Sequence, residues 1–100
     1  MLNDENVDLI VAEHESTLIG YILVFHHLTF YANGTVSWVE ELFVEEAFRK
    51  QGVGKKLMAL AEEKATERES KIVALATRRA DKFYQSIGYE DSAIYFRKLL

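Results

Sequence analysis

The sequence predicts an α/β (α+β) domain: a mixed, mainly antiparallel sheet with helices packed on it, in the order β-β-β-α-β-α-β. Three observations carry this reading. The first half consists of three strand-like runs separated by short turns, which makes an antiparallel meander. The second half contains two segments whose apolar residues recur at three- and four-residue spacing, as on one face of a helix. Between those segments lies a short, mostly apolar run suited to a buried strand.

Each element has its own signal. Residues 7–13 are rich in β-forming residues, and Glu15-Ser16-Thr17 reads as a turn. Residues 18–28 form the second strand, with Gly20 as a bulge or a point of close approach. Asn33-Gly34 marks the next turn. Residues 37–44 form the third strand. Strict alternation puts Trp38, Glu40, Leu42 and Val44 on one of its faces and Val39, Glu41 and Phe43 on the other. Residues 52–68 are helical, with Val53, Leu57, Leu60, Ala61 and Ala65 as the apolar stripe. The run 71–76 is a strand parallel to the third, because a helical crossover joins them. Residues 78–87 form the second helix, with Ala80, Phe83 and Ile87 inward and Gly88 as its C-terminal cap. A last strand is expected over 92–98.

One hundred residues make one small domain, spanning 1–100. A chain this short buries only about two thirds of its unfolded surface, so a partner subunit would help its stability. Together with the apolar edge of the last strand (Ile94, Phe96), this is compatible with a homodimer. There is no Cys, which excludes disulfides, thiolate nucleophiles and Cys-ligated zinc. No secretory pattern and no apolar run of membrane-span length occur, so a cytoplasmic protein with no membrane partner is expected. The net charge of −4 argues against general nucleic-acid binding. His26 and His27 are strand neighbours whose rings point apart, and His14 sits at a turn, so no metal site is expected and these are read as ordinary polar or edge positions. Ser/His hydrolase chemistry lacks its nucleophile elbow.

Charge is unevenly spread. Residues 40–46 carry four Glu and no base, whereas residues 49–56 carry four basic side chains and no acid. The basic run surrounds a glycine turn, Arg49-Lys50-Gln51-Gly52-Val53-Gly54, that opens the first helix. Free backbone amides at the positive end of a helix dipole make an anion site suited to a pyrophosphate. The pattern Arg-x-x-Gly-x-Gly alone is weak, since it arises by chance in about 3% of chains this long. It is neither a dinucleotide fingerprint nor a phosphate-loop NTPase motif.

A second pattern follows about thirty residues on: Phe83-Tyr84-Gln85-Ser86-Ile87-Gly88-Tyr89. Taken with Glu40-Glu41-Leu42-Phe43-Val44, Arg49-x-x-Gly52-x-Gly54 and Leu57, in this order and spacing, it resembles the GNAT N-acetyltransferase superfamily. The resemblance runs over residues 36–98 and extends back toward residue 7.

The resemblance implies an enzyme that moves an acetyl group from acetyl-CoA, its cosubstrate, to a small-molecule or peptide amine by direct attack in a ternary complex. It implies that the backbone of Leu42, Phe43 and Val44 pairs with the pantetheine arm, and that the amides of Lys50, Gln51, Gly52, Val53, Gly54 and Lys55 cradle the pyrophosphate, with Arg49 adding charge. A strand edge and a helix start are physically suited to these two tasks. Tyr84 is then the general acid for the departing thiolate; a phenol with a pKa near ~10 is protonated at neutral pH. Glu40 and Glu41 are the candidate base. Alternation lets only one of them face the cleft, and Glu40 is favoured; both could also be solvated surface acids.

Two departures from the family stand out. Members usually begin with a strand and one or two helices that wall the acceptor site, and this chain starts about where the next strand begins. The acceptor site is then open, or completed by a second subunit, or inactive. Thr77 stands where many members have Asn at the mouth of the next helix, and it can supply only part of that hydrogen bonding. A non-catalytic CoA-binding regulatory module is the alternative reading, and a structural dimerisation domain a third.

Overall fold

The computed structural model describes residues 6–29, 34–77, 79–91 and 96–100. Strands β1 (Val7–His14), β2 (Thr17–Thr29) and β3 (Gly34–Val44) form an antiparallel meander. A 3₁₀ turn (Glu46–Phe48) leads to helix α1 (Val53–Glu67), strand β4 (Ser70–Ala74) and the short helix α2 (Asp81–Ser86). The sheet order is β1-β2-β3-β4, with β4 parallel to β3. The mixed α+β architecture is therefore as predicted, including the crossover through α1.

Local chemistry explains the boundaries. The β1–β2 hairpin closes on Glu15 and Ser16, both with positive φ, a two-residue loop whose twist suits the strands. Helix α1 begins after Gly52, held at φ 87°. Four residues of α1 are buried: Leu57, Met58, Ala61 and Ala65. They cover Ile22 and Val24 of β2 and Val39 of β3, which together form the core. Met58 was absent from the predicted stripe and is fully buried, whereas Leu60 is only half-buried. The helix is rotated slightly from the predicted face, because its contact is set by the twisted sheet beneath it.

The bulge expected at Gly20 falls one residue earlier. Ala12 pairs with Gly20 and Glu13 with Leu18, so Ile19 is the extra residue. A Cβ on Gly20 would lie 2.7 Å from the Phe43 carbonyl oxygen, so the close approach is also real.

Other expectations need correction. Helix α2 starts at Asp81 rather than 78, because the Ala80 N–H is taken by the Thr77 Oγ1 (3.1 Å) in a turn that precedes the helix. The last strand expected over 92–98 falls partly on residues outside those described, and residues 96–100 form no strand, with Phe96 85% exposed. Asn33 and Ile94 also lie outside the described residues.

His26 is the largest surprise. Instead of an ordinary polar or edge position it is 3% exposed in the middle of the sheet. Its Nε2 is 2.8 Å from Asp8 Oδ2 on β1, and its Nδ1 is 2.6 Å from Ser37 Oγ on β3. Ser37 Oγ is 2.6 Å from Ser70 Oγ on β4, and Arg68 Nε donates to Asp8 at 3.1 Å. The chain of bonds crosses all four strands. Burial holds the His26 pKa below its usual value, although the bond to Asp8 opposes this. Burial alone would raise Asp8, but the bonds from His26 and Arg68 outweigh it and the net shift is downward. A neutral His26 beside an ionised Asp8 satisfies both, with Arg68 as the permanent cation. His26 then donates from Nε2 and accepts from Ser37 at Nδ1, and every polar group is matched. Although it contains Asp, His and Ser, Ser37 is fully buried, so the array is structural.

Candidate active site

Strand β4 pairs with β3 only as far as Trp38, opposite Ala74. Beyond that point β4 ends, while β3 continues to Val44. The two chains diverge, and a cleft of about 440 Å³ opens between them. Its walls include Glu40, Glu41, Leu42 and Phe43 of β3, the segment Leu75-Ala76-Thr77, Tyr21 of β2 and Tyr84 of α2.

A second bulge shapes this wall. Leu23 pairs with Glu41 but Val24 with Val39, which leaves Glu40 as the extra residue of β3. A bulge bends the strand and resets its alternation. Val39 therefore shares the core side with Leu42 and Val44, against the predicted grouping with Glu41 and Phe43. Both Glu40 and Glu41 are among the residues that line the cleft. Each carboxylate has a partner. Trp38 Nε1 donates to Glu40 at 3.1 Å, and the Tyr21 hydroxyl donates to Glu41 at 2.8 Å. The Tyr21 ring lies 5.8 Å from that of Phe43, and its pKa is raised by the bond to Glu41.

The basic turn follows. Arg49 Nε donates to the Val44 carbonyl at 2.8 Å, so Arg49 ties the turn to the end of β3, and the open stretch of strand edge stops before Val44. Gln51 similarly bonds the Ala47 carbonyl through Nε2 at 3.1 Å. Lys50 and Gly52 both have positive φ. Helix α1 has no side-chain cap and no acidic residue in its first turn. Its first backbone bond runs from the Lys56 N–H to the Gly52 carbonyl, so the amides of Val53, Gly54 and Lys55 have no intrahelical acceptor. Lys50, Lys55 and Lys56 are exposed around them. Gly54 has a packing reason as well: a Cβ there would touch the Phe83 ring at 3.4 Å.

Tyr84 is placed by the residues that follow it. Gly88, at φ 102°, lets the Tyr89 N–H reach the Tyr84 carbonyl (2.9 Å) and its own N–H reach that of Gln85 (3.2 Å). This is a Schellman cap, and its usual apolar contact is the Tyr84–Tyr89 ring pair at 5.9 Å. The spacing Phe83-Tyr84-x-x-x-Gly88-Tyr89 is thus a device for ending α2 with Tyr84 at a set angle. Phe83, Tyr84 and Ile87 pack on the core. Burial raises the Tyr84 pKa, which keeps the phenol protonated. Tyr89, whose hydroxyl bonds Glu62 at 2.6 Å, does not border the cleft.

Sequence reasoning missed Tyr21 and the Trp38–Glu40 contact. Tyr21 carries no motif, and only the cross-strand register brings it to Glu41. Among the described residues there is no group of three potential metal ligands, and no helix is long and apolar enough to cross a membrane.

Comparison with known proteins agrees with this geometry. Residues 5–91 match the family model described as acetyltransferase (GNAT) domain. An aminoalkylphosphonate N-acetyltransferase of Salmonella typhimurium is 30% identical over 99% of this chain and 67% of its own length. A putative acetyl transferase from Pyrococcus furiosus superposes with a TM-score of 0.88 at 27% identity, over 99% of this chain and 69% of that one. An aminoglycoside acetyltransferase from an uncultured soil metagenomic sample gives 0.85 at 25% identity, over 99% and 69%. The chain spans about two thirds of the length of these relatives. It belongs to the GNAT acetyltransferase family, and is an N-acetyltransferase domain.

Proposed function

We propose that this domain transfers the acetyl group of acetyl-CoA to a primary amine, small-molecule or peptide, by direct attack in a ternary complex. The observation that carries the reading is the divergence of β3 from β4 beside an uncapped helix start, with Tyr84 at the same cleft. The open edge of β3 through Leu42 and Phe43 suits the two amides of a pantetheine arm. The uncapped amides of Val53, Gly54 and Lys55, with Lys50, Gln51 and Gly52 before them, suit its pyrophosphate. Arg49 and Val44 contribute by holding that turn against the strand. Thr77 lines the cleft from the β4 side, its Oγ1 already accepting from Ala80.

The chemistry follows from the two walls. Glu40 and Glu41 attract an ammonium and take one of its protons, directly or through water. At pH 7 that deprotonation costs about 4 kcal/mol for an amine of pKa ~10. The amine attacks the acetyl carbon; the C–N bond forms and the C–S bond breaks. A β3 backbone N–H near Leu42 stabilises the carbonyl oxygen as it gains charge. Tyr84 protonates the thiolate, and the amine's second proton restores Tyr84. The aminoalkylphosphonate and aminoglycoside acetyltransferases among the relatives favour an amine acceptor.

The test is acetyl-CoA turnover against a panel of amines, with Tyr84→Phe beside the wild type. The phenol-free variant should lose about a hundredfold in kcat while its acetyl-CoA KM stays near wild type. Full turnover by Tyr84→Phe at every pH would remove the acid role. Acetyl-CoA binding without turnover on any amine would instead leave a CoA-binding module.

A further inference from the structure

We propose that Tyr21 is a positioning residue for the acceptor side of the cleft: its hydroxyl holds the Glu41 carboxylate where it meets the incoming ammonium. This rests on the acetyl-transfer reading of the same cleft.

Three observations support it. The Tyr21 hydroxyl donates to Glu41 Oε1 at 2.8 Å, between strands β2 and β3. Tyr21 lines the same cleft as Tyr84, so the contact lies at the site rather than beside it. Its ring is fixed against Phe43 of β3, which limits where the hydroxyl can go.

The bulge at Glu40 explains why such a residue is needed. Glu40 is the unpaired residue of the bulge, and its carboxylate turns back to Trp38 on its own strand. Glu41 keeps its strand partner, Leu23, and reaches sideways to Tyr21. An exposed glutamate samples several rotamers, and ordering one costs entropy each time a substrate binds. A hydrogen bond from a ring already held by packing reduces that cost in advance. The geometry therefore gives Glu41 the role that strand alternation had assigned to Glu40.

Tyr21 and Tyr84 then divide the work between the walls. Tyr84 stands on α2, on the side of the sheet that carries the core. Tyr21 belongs to the other face of β2, since its neighbours Gly20 and Ile22 are the buried ones. One phenol serves the departing sulfur, and the other serves the carboxylate that receives the amine.

The experiment compares wild type, Tyr21→Phe, Glu41→Gln and the double variant, on the best amine of the panel. Tyr21→Phe keeps the ring against Phe43, and a thermal melt checks that it folds. The expected result is an acceptor KM raised about fivefold, with the acetyl-CoA KM unchanged and kcat near wild type. In the Glu41→Gln background, Tyr21→Phe should add nothing. A Tyr21→Phe variant with a wild-type acceptor KM, beside an impaired Glu41→Gln, overturns the positioning role alone. Wild-type kinetics in Glu41→Gln overturn the role of Glu41 in the site, and the role of Tyr21 with it.

Discussion

The two halves of β3 differ in what satisfies them. Up to Trp38 the strand is paired on both sides, by β2 and by β4. That half is closed, and Ser37 completes the polar chain from Asp8 through His26 to Ser70. Beyond the bulge at Glu40 the strand has β2 on one side and the cleft on the other. The difference teaches how a short strand can be both rigid and available. The closed half anchors β3 in the sheet, and the open half leaves one edge without a strand partner among the described residues.

Predictions can break either half. The largest effect is expected from His26→Ala in the closed half. It removes a buried ring and breaks the polar chain in the middle, leaving Asp8 with Arg68 and Ser37 with Ser70, at a cost of about 3 kcal/mol. Urea unfolding measures this. A loss under 1 kcal/mol would mean that the polar chain does not hold the strands together.

Gly20→Ala tests the open half. The new Cβ would stand 2.7 Å from the Phe43 carbonyl, so backbone must move at the wall of the cleft. The expected cost is about 2 kcal/mol, with a weakened response of the melting temperature to acetyl-CoA. Normal stability and normal acetyl-CoA binding in this variant would show that the open edge is more tolerant than its geometry implies.

The smallest effect is that of pH on the closed half. The His26 pKa is lowered by folding, so the unfolded chain binds a proton that the folded chain does not. Stability should therefore be full above about pH 6.5, the usual histidine value, and decline as pH falls below it. The decline cannot exceed about 1.4 kcal/mol per pH unit for one proton. Asp8 adds a separate loss at lower pH, as its depressed pKa is approached from above. A stability profile that is flat between pH 7 and 5 would contradict the neutral, buried His26.

Much of the site could be read from residue order because it consists of local devices. Gly52 opens a helix without a side-chain cap, and Gly88 with Tyr89 closes one on Tyr84; each acts within a few residues. Val39 could not be grouped correctly with the residues beyond Glu40, because the bulge arises from the register between β2 and β3. Alternation assumes an unbroken ladder, and one extra residue reverses every assignment beyond it. Tyr21 and His26 were misread or missed for the same reason. Their partners are 20, 11 and 18 residues distant, on neighbouring strands.

By itself the sequence determined the fold class, the parallel crossover, the glycine turn that opens α1 and the helix that carries Tyr84. These depend on periodicity, glycine conformations and capping, which operate over a few residues. Only the tertiary structure decided that both glutamates border the cleft, that Tyr21 holds one of them, and that His26 belongs to a buried polar chain. Those features depend on strand register, which comes from packing the whole sheet against α1.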